Sequence, residues 1–211
     1  MPADLTRIVD PATTALVVSE CQRDVVGDLS KLPALAESAR SAVANVALLA
    51  AAARRAGVQV IHATAFVRSD GKGANTNTRI SAGLRRRLAE GAPAAANPED
   101  SATIVDEIGV EPADLLLRRF HGMSPMHDTG LDSVLRNLGV TTVVVVGVSL
   151  NIAIPNTVMD AVNSGYVVVV PTDAVAGVPP EYGEAVLQHT IGYLAYLTTT
   201  SQLIGLWSVT A

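Results

Sequence analysis

Apolar and polar positions alternate in blocks along the chain, and these blocks predict strands and helices in turn. Val143 to Val146 is a β-branched run that suits a strand covered by helices on both faces. Gly147 ends the run, and residues 151–163 then carry apolar side chains at helical spacing. Residues 166–170 form a second β-branched run. The stretch 141–177 therefore predicts a strand–turn–helix–strand unit with two parallel strands in one sheet.

The rest of the chain repeats this alternation. Further strands are predicted at residues 13–19, 58–62, 114–117 and 196–199. Further helices are predicted at residues 33–56, 78–90, 101–108, 129–137, 180–193 and from 201 onward, with a connector at 91–99. Regular alternation of strands and helices predicts one α/β domain over residues 1–211, built on a doubly wound parallel sheet.

Composition and charge narrow the possible classes of protein. Hydrophobic residues make up 49% of the 211 positions and charged residues 17%, which excludes a disordered chain. The net charge is −5, and the run Arg85-Arg86-Arg87 is typical of a solvated helix face or an interface, so no nucleic-acid partner is predicted. Gly, Pro or charged residues interrupt every apolar run, so we expect no membrane partner and a cytoplasmic location.

The only cysteine, Cys21, excludes an internal disulfide and a cysteine-based metal cluster. It follows Glu20 on the predicted strand and should point to the opposite face, as a small buried residue. His121, His127 and Asp128 share one loop, but this spacing is weak evidence for a metal site. We therefore predict no metal and no other cofactor.

Polar residues follow three of the predicted strands, at the sheet edge where open parallel sheets bind ligands. Glu20 ends an apolar strand, either as a structural partner of Arg119 or as part of a site. Arg119 and His121 follow the third strand. Asn151 precedes the helix of the 141–177 unit, where it either caps that helix or contacts a substrate.

Three segments carry a family resemblance. ALVVSECQRD, LLLRRFHGMSPMHDTGLDSVLRNLGV and VVVVGVSLNIAIPNTVMDAVNSGYVVVVPTDAVAG resemble, in this order, the isochorismatase-like hydrolases, also called cysteine hydrolases. The resemblance runs from Ala15 to about Leu206. It implies a Rossmann-like three-layer fold with six parallel strands in the order 3-2-1-4-5-6, and dimers or tetramers. It also implies a small-molecule substrate and a cis peptide, for which Val148–Ser149 is the candidate.

The resemblance further implies a site of three residues. In the family, an aspartate, a lysine and a cysteine at a helix N-terminus hydrolyse amides such as nicotinamide and carbamoyl derivatives. These positions fall here on Glu20, on Arg119 or its neighbour Phe120, and on Ala153. Alanine has no reactive atom, so an acyl-enzyme at that position is excluded. The true isochorismatase branch also lacks the cysteine and cleaves a vinyl ether with its acid as proton donor.

The resulting hypothesis is hydrolysis of a small anionic substrate with Glu20 as general acid/base and Arg119 binding charge. Asn151, His121, Phe120 and Gln22 are the predicted substrate contacts, although Gln22 equally suits a role in fixing its loop. The alternative is a catalytically silent member that binds small molecules or acts as a scaffold subunit. A pocket that joins Glu20 and an arginine beside Ala153 favours hydrolysis. A pocket filled by aromatic or methionine side chains (Phe120, Met123, Met126) opposes it.

Overall fold

A parallel β-sheet forms the centre of the computed structural model, which describes residues 4–90, 97–127 and 129–209. Its strands are β1 (Thr14–Ser19), β2 (Gln59–Ala65), β3 (Leu115–Arg119), β4 (Thr142–Val148), β5 (Val167–Pro171), β6 (Val175–Ala176) and β7 (Tyr196–Thr198). The order is β3-β2-β1-β4-β5-β7, and the two-residue β6 pairs with the end of β4. The expected order of six parallel strands is therefore confirmed, with β7 as the sixth, whereas β6 was not predicted.

Helices cover both faces of the sheet. They are α1 (Leu5–Ile8), α2 (Pro33–Ser38), α3 (Arg40–Ala56), α4 (Arg79–Ala89), α5 (Pro98–Ser101), α6 (Leu131–Asn137), α7 (Ala153–Asn163), α8 (Pro180–His189) and α9 (Thr200–Val209). Short 3₁₀ turns lie at Pro11–Thr13 and Ile191–Tyr193. None of the helices in the described ranges is both long and apolar enough to cross a membrane.

Strand β1 shows how one apolar run serves two cores. Leu16 and Val18 pack in the core that α3 and α9 cover. Ala15 and Val17 pack in the core that α6, α7 and α8 cover. Successive side chains of a strand point to opposite faces, so a continuous apolar run is what a sheet between two helix layers requires.

Several element predictions were wrong in detail. The strand predicted over 58–62 runs on to Ala65, and the helix predicted over 180–193 ends at His189. The helix predicted over 33–56 is interrupted at Ala39, which ends α2 and begins α3. The helix predicted over 101–108 is absent: α5 ends at Ser101, and the following turns bond to the segment after β1, with Val105 N–H donating to the Cys21 carbonyl. Strand β3 continues to Arg119, two residues beyond its predicted end. Residues 91–96 of the predicted connector lie outside the described residues.

The ends of β1 and β4 lie side by side and position the candidate site. Ser19 pairs with Gly147, and a Cβ at Gly147 would lie 2.2 Å from the Ser19 carbonyl oxygen. Gly147 has φ +100°, a conformation that glycine adopts without steric cost. The next residues form the cis peptide Val148–Ser149 that the resemblance implied. Glu20 leaves β1 with φ +52°.

Candidate active site

A pocket of about 1150 Å³ opens at the carboxyl edge of the sheet. Its inner end is formed by Glu20, Arg119 and Ala153. Glu20 follows β1, Arg119 is the last residue of β3, and Ala153 begins the helix after β4. Segment 65–81 and residues 31–35 form much of the remaining wall. The fold therefore brings together the three positions to which the family resemblance assigned the chemistry.

Glu20 and Arg119 form an ion pair at this inner end. Arg119 Nη2 donates to Glu20 Oε1, and Arg119 Nε donates to the Gly122 carbonyl over 2.9 Å. Arg119 is only 7% exposed, and its Nη1 has no partner among the described residues. A guanidinium this deeply buried needs a counter-charge, and Glu20 supplies it.

The cation beside Glu20 is Arg119 and not a residue from the following turn. Phe120, the other candidate for the family's lysine position, packs edge-on against Phe66 with ring centroids 5.3 Å apart. Arg119 reaches Glu20 because β3 extends two residues beyond its predicted end and so brings this side chain to the sheet edge.

Ala153 begins α7 and is 3% exposed where it lines the pocket. The N–H groups of its neighbours Ile152 and Ile154 donate to the Ser149 carbonyl over 3.1 and 3.0 Å. The N–H of Ala153 has no acceptor among the described residues. This free donor at the positive end of α7 can stabilise an oxygen on which negative charge develops.

Asn151 lines the pocket but does not cap α7. Its Nδ2 donates to the Val178 carbonyl over 2.6 Å, and its Oδ1 accepts from Val178 N–H over 2.8 Å. The cap position belongs to Ile152, which makes no side-chain cap bond. The capping prediction was therefore wrong, and substrate contact by Asn151 stays a prediction.

Gln22 is buried beside the pocket and is not one of its lining residues. Its Nε2 donates to Asp24 Oδ1 and to the Ala65 carbonyl, and its Oε1 accepts from Ala65 N–H, all within 2.9 Å. These bonds occupy the side-chain amide and fix the loop after β1 to the end of β2. The position supports the loop-fixing alternative for Gln22, and gives no support to a substrate contact.

The loop after β3 borders the pocket without filling it. Phe120, His121 and Met123 are lining residues, whereas Met126 packs against the core under α6 and α7. His127 is exposed and does not line the pocket, and Asp128 lies outside the described residues. No cluster of three or more His, Cys, Asp or Glu side chains in the described ranges is placed to hold a metal ion.

Cys21 is buried in the core that α3 and α9 cover, as its alternation with Glu20 predicted. Burial, and to a smaller extent the neighbouring Glu20 carboxylate, raises the pKa of its thiol to about 12. A thiol with this pKa is almost entirely protonated at neutral pH and is a poor nucleophile.

Sequence reasoning missed the outer wall of the pocket. Leu32, Phe66, Val67 and Ile80 line it from segments that were interpreted only as a loop and as helix ends. The signal available in the sequence was weak: Ile80 is an apolar residue near the start of a helix that is otherwise rich in arginine.

Fold and site together define a class, and sequence comparisons agree with it. Residues 14–202 match the model of the isochorismatase domain, so the chain belongs to the isochorismatase family of hydrolases. It is 30% identical over 183 residues to the ureidoacrylate amidohydrolase RutB of Methylobacterium radiotolerans, covering 82% of this chain and 70% of that one. Its identity to RutB of Agrobacterium fabrum is 28% over 220 aligned positions, covering 95% and 92%.

Solved structures show the same fold. A cysteine hydrolase from Pseudomonas syringae pv. phaseolicola superposes with a TM-score of 0.79 at 25% identity, covering both chains completely. An isochorismatase family protein from Burkholderia thailandensis superposes with a TM-score of 0.76 at 27% identity, covering 93% of this chain and 96% of that one.

Proposed function

We propose that this isochorismatase-family protein hydrolyses a C–N or C–O bond of a small anionic substrate by acid/base catalysis at Glu20, without a cysteine nucleophile. The observation that carries the proposal is the Glu20–Arg119 pair at the inner end of a pocket beside Ala153. Water is the nucleophile in place of the family's thiol, because alanine has no reactive atom at that position.

Proton transfer at Glu20 is compatible with its contacts. Arg119 bonds to Oε1 and fixes the carboxylate, while Oε2 has no partner in the described part of the chain. In C–N hydrolysis, Glu20 takes a proton from the attacking water and returns it to the leaving nitrogen. In vinyl-ether hydrolysis, Glu20 first protonates the enol-ether carbon, and water then adds to the resulting oxocarbenium ion.

The Ala153 N–H supplies the electrostatic part of the proposal. As the first N–H of α7, it is assigned to the substrate oxygen that gains charge when water attacks a carbonyl. Arg119 keeps Glu20 in place, and its positive charge, with Nη1 unpartnered among the described residues, is assigned to attract an anionic substrate. The relatives named ureidoacrylate amidohydrolase make a ureido acid the first compound to test.

The test is a hydrolysis screen of ureido acids, amides, esters and vinyl ethers. We expect wild type to hydrolyse at least one class and Glu20→Gln to be slower by about 10²- to 10⁴-fold. Glu37→Gln is the matched control, because Glu37 is an exposed carboxylate on α2 outside the pocket lining. Equal rates for wild type and Glu20→Gln would remove Glu20 from the mechanism.

A catalytically silent binding or scaffold protein is the second candidate. It is favoured by Ala153 and by the substitution of the other two family residue types with Glu20 and Arg119. In the same screen, this function predicts compounds that raise the melting temperature and are recovered unchanged after long incubation. Self-association as a dimer or tetramer and a cytoplasmic location stay predictions, which sedimentation and cell fractionation would test.

A further inference from the structure

The pocket is larger and more apolar than a small charged substrate requires. Ligand pockets for drug-sized molecules measure about 300–1000 Å³, and this one measures about 1150 Å³. Beyond the Glu20–Arg119 pair, most of its large side chains are apolar. They include Leu32, Leu35, Phe66, Ile80, Phe120 and Ile152.

Four large apolar side chains surround the outer rim of this pocket and remain exposed. Leu32 precedes α2, Val67 follows β2, Ile80 lies in α4 and Phe120 follows β3. Their exposed fractions are 49%, 48%, 59% and 49%. Apolar side chains that converge from four separate segments onto one concavity indicate a binding surface, unlike isolated apolar residues on a protein surface.

The aromatic part of this surface is held in place. Phe66 contacts Phe120 edge to face, with an angle of 67° between the rings, and the Arg118 guanidinium lies 5.0 Å from the Phe66 ring centroid. Phe66 is buried, so the more exposed Phe120 ring rests on a fixed neighbour. Fixed aromatic side chains bind apolar groups at a low entropic cost.

The charged residues at the rim are paired or hydrated and are not predicted to be the main ligand contacts. Lys31 pairs with Asp24, and Asp70 pairs with Arg68, each over 2.9 Å. Arg85 also lines the rim, but it is exposed to solvent, where a cation is well hydrated. Removing the apolar side chains of the rim from water therefore gives the largest favourable free energy of binding.

We propose that the substrate carries an apolar group, an alkyl chain or an aryl ring, that lies among Leu32, Ile80 and Phe120. This inference rests on the proposed function for the position of the scissile bond, which lies at Glu20. A second protein copy is the other candidate occupant of the rim. The substrate is favoured because the apolar rim, the less exposed Leu35 and Ile152, and the Glu20–Arg119 pair all line one pocket.

The test measures binding without turnover. Straight-chain primary amides from propanamide to heptanamide are titrated into Glu20→Gln protein, and dissociation constants are obtained by NMR. Each buried methylene improves binding by about threefold to fourfold, so we expect affinity to rise about 100-fold across the series. Ile80→Ser and Phe120→Ser in the same background should each remove most of this dependence on chain length.

Leu48→Ser is the matched control. Leu48 is 56% exposed on α3, close to the 59% of Ile80, and it does not line the pocket. This variant should keep the full chain-length dependence. Affinity that is independent of chain length would overturn the inference. A chain-length dependence that persists in both rim variants would also overturn it. If those variants in addition sediment at a lower mass than wild type, the rim is a contact between protein copies.

The inference and the proposed function can fail separately. If wild type hydrolyses short ureido acids or amides while affinity does not change with chain length, only the apolar group is wrong. If no compound is hydrolysed but affinity rises along the series and falls in the rim variants, the apolar binding surface stands and the hydrolytic proposal fails.

Discussion

At the scale of single residues, the site is defined by the pairing of the buried Arg119 with the partly buried Glu20 and by the absence of a thiol at Ala153. Arg119 is too buried to carry its charge alone, and Glu20 is the partner that the fold provides. Ala153 stands at the start of α7, where the family resemblance places a nucleophilic cysteine, and its methyl side chain has no reactive atom. The proposed chemistry therefore relies on Glu20, on the backbone at the start of α7 and on water.

Restoring the sulfur tests whether the start of α7 still activates a thiol. In Ala153→Cys, the new thiol lies at a helix N-terminus, which favours the thiolate, so its alkylation by iodoacetamide should have a pH midpoint below the ordinary value of about 8.5. Mass spectrometry should show one label on the variant and none on wild type, because Cys21 is buried and its thiol pKa is raised to about 12.

Ala185→Cys provides the reference thiol for this experiment. Ala185 is exposed within α8, away from that helix's N-terminus and outside the pocket lining. Comparing pH midpoints rather than rates removes the effect of access through the pocket. A midpoint for Ala153→Cys equal to or above that of Ala185→Cys would show that the N-terminus of α7 does not stabilise negative charge at this position.

At the scale of elements, the site depends on how the ends of β1 and β4 meet. Both strands were predicted, β4 from its β-branched run and β1 from the alternation of strands and helices, and so was the turn at Gly147. The sequence did not show that this turn passes so close to β1 that no side chain fits between them. The helix break at Ala39 was not predicted, because no proline or glycine marks it in the sequence.

The close approach at Gly147 predicts a large loss of stability. In Gly147→Ala, the new methyl group would lie 2.2 Å from the Ser19 carbonyl oxygen in a backbone with φ +100°. We expect the free energy of unfolding to fall by at least about 3 kcal/mol, measured by urea denaturation. Because Ser19 precedes Glu20, any binding measured in the Glu20 pocket should also weaken.

Gly165→Ala separates the steric clash from backbone strain. Gly165 has φ +92°, but a Cβ there meets no atom within 4 Å. This variant should therefore lose only about 1 kcal/mol, the cost of placing alanine in the left-handed region. Similar losses for the two variants would contradict the close packing of β1 against the turn after β4.

At the scale of the whole molecule, a buried polar cluster joins α3 to β2 and β3. His62 is fully buried, with Nε2 3.1 Å from Asp114 Oδ2, and Arg54 Nη2 donates to the same carboxylate oxygen over 2.6 Å. Burial lowers the pKa of His62, although Asp114 opposes this. Burial alone would raise the pKa of Asp114, but hydrogen bonds from Arg54, Glu111 N–H and His62 outweigh it and lower that pKa.

This cluster predicts that the fold loses stability in mild acid. An unfolded histidine titrates near pH 6.5, and folded His62 titrates lower, so below about pH 6.5 the unfolded chain binds more protons than the folded one. The free energy of unfolding should therefore fall as pH decreases from about 6.5 towards the lower pKa of the folded state. The slope for one proton is at most about 1.4 kcal/mol per pH unit.

Urea denaturation at several pH values between 7.5 and 5 measures this slope. His62→Gln removes the titrating group and should flatten the curve over this range, whatever its effect on stability at pH 7.5. His189→Gln is the matched control, because it makes the same substitution at an exposed site at the end of α8. A wild-type slope that survives in His62→Gln would assign the acid sensitivity to other groups.

The sequence by itself determined the alternation of strands and helices, the strand order through family resemblance, Glu20 as the acid after the first strand, and alanine at position 153, where the resemblance places the nucleophile. These properties follow from local periodicity and from residue identity. Only the tertiary structure decided that Arg119 is the partner of Glu20 and that Gln22 faces a strand end and not the pocket. The physical reason is that local pattern does not fix where a strand ends or which way its last side chains point.

The apolar rim is the clearest case of this difference. Leu32, Val67, Ile80 and Phe120 lie in four separate parts of the sequence, and each alone is an ordinary exposed apolar residue. They become one surface because the parallel sheet brings the loops after its strands to the same edge. Sequence periodicity therefore determined the layers of the fold, whereas the convergence of distant segments, which is a property of the folded chain, decided the shape and apolar character of the pocket.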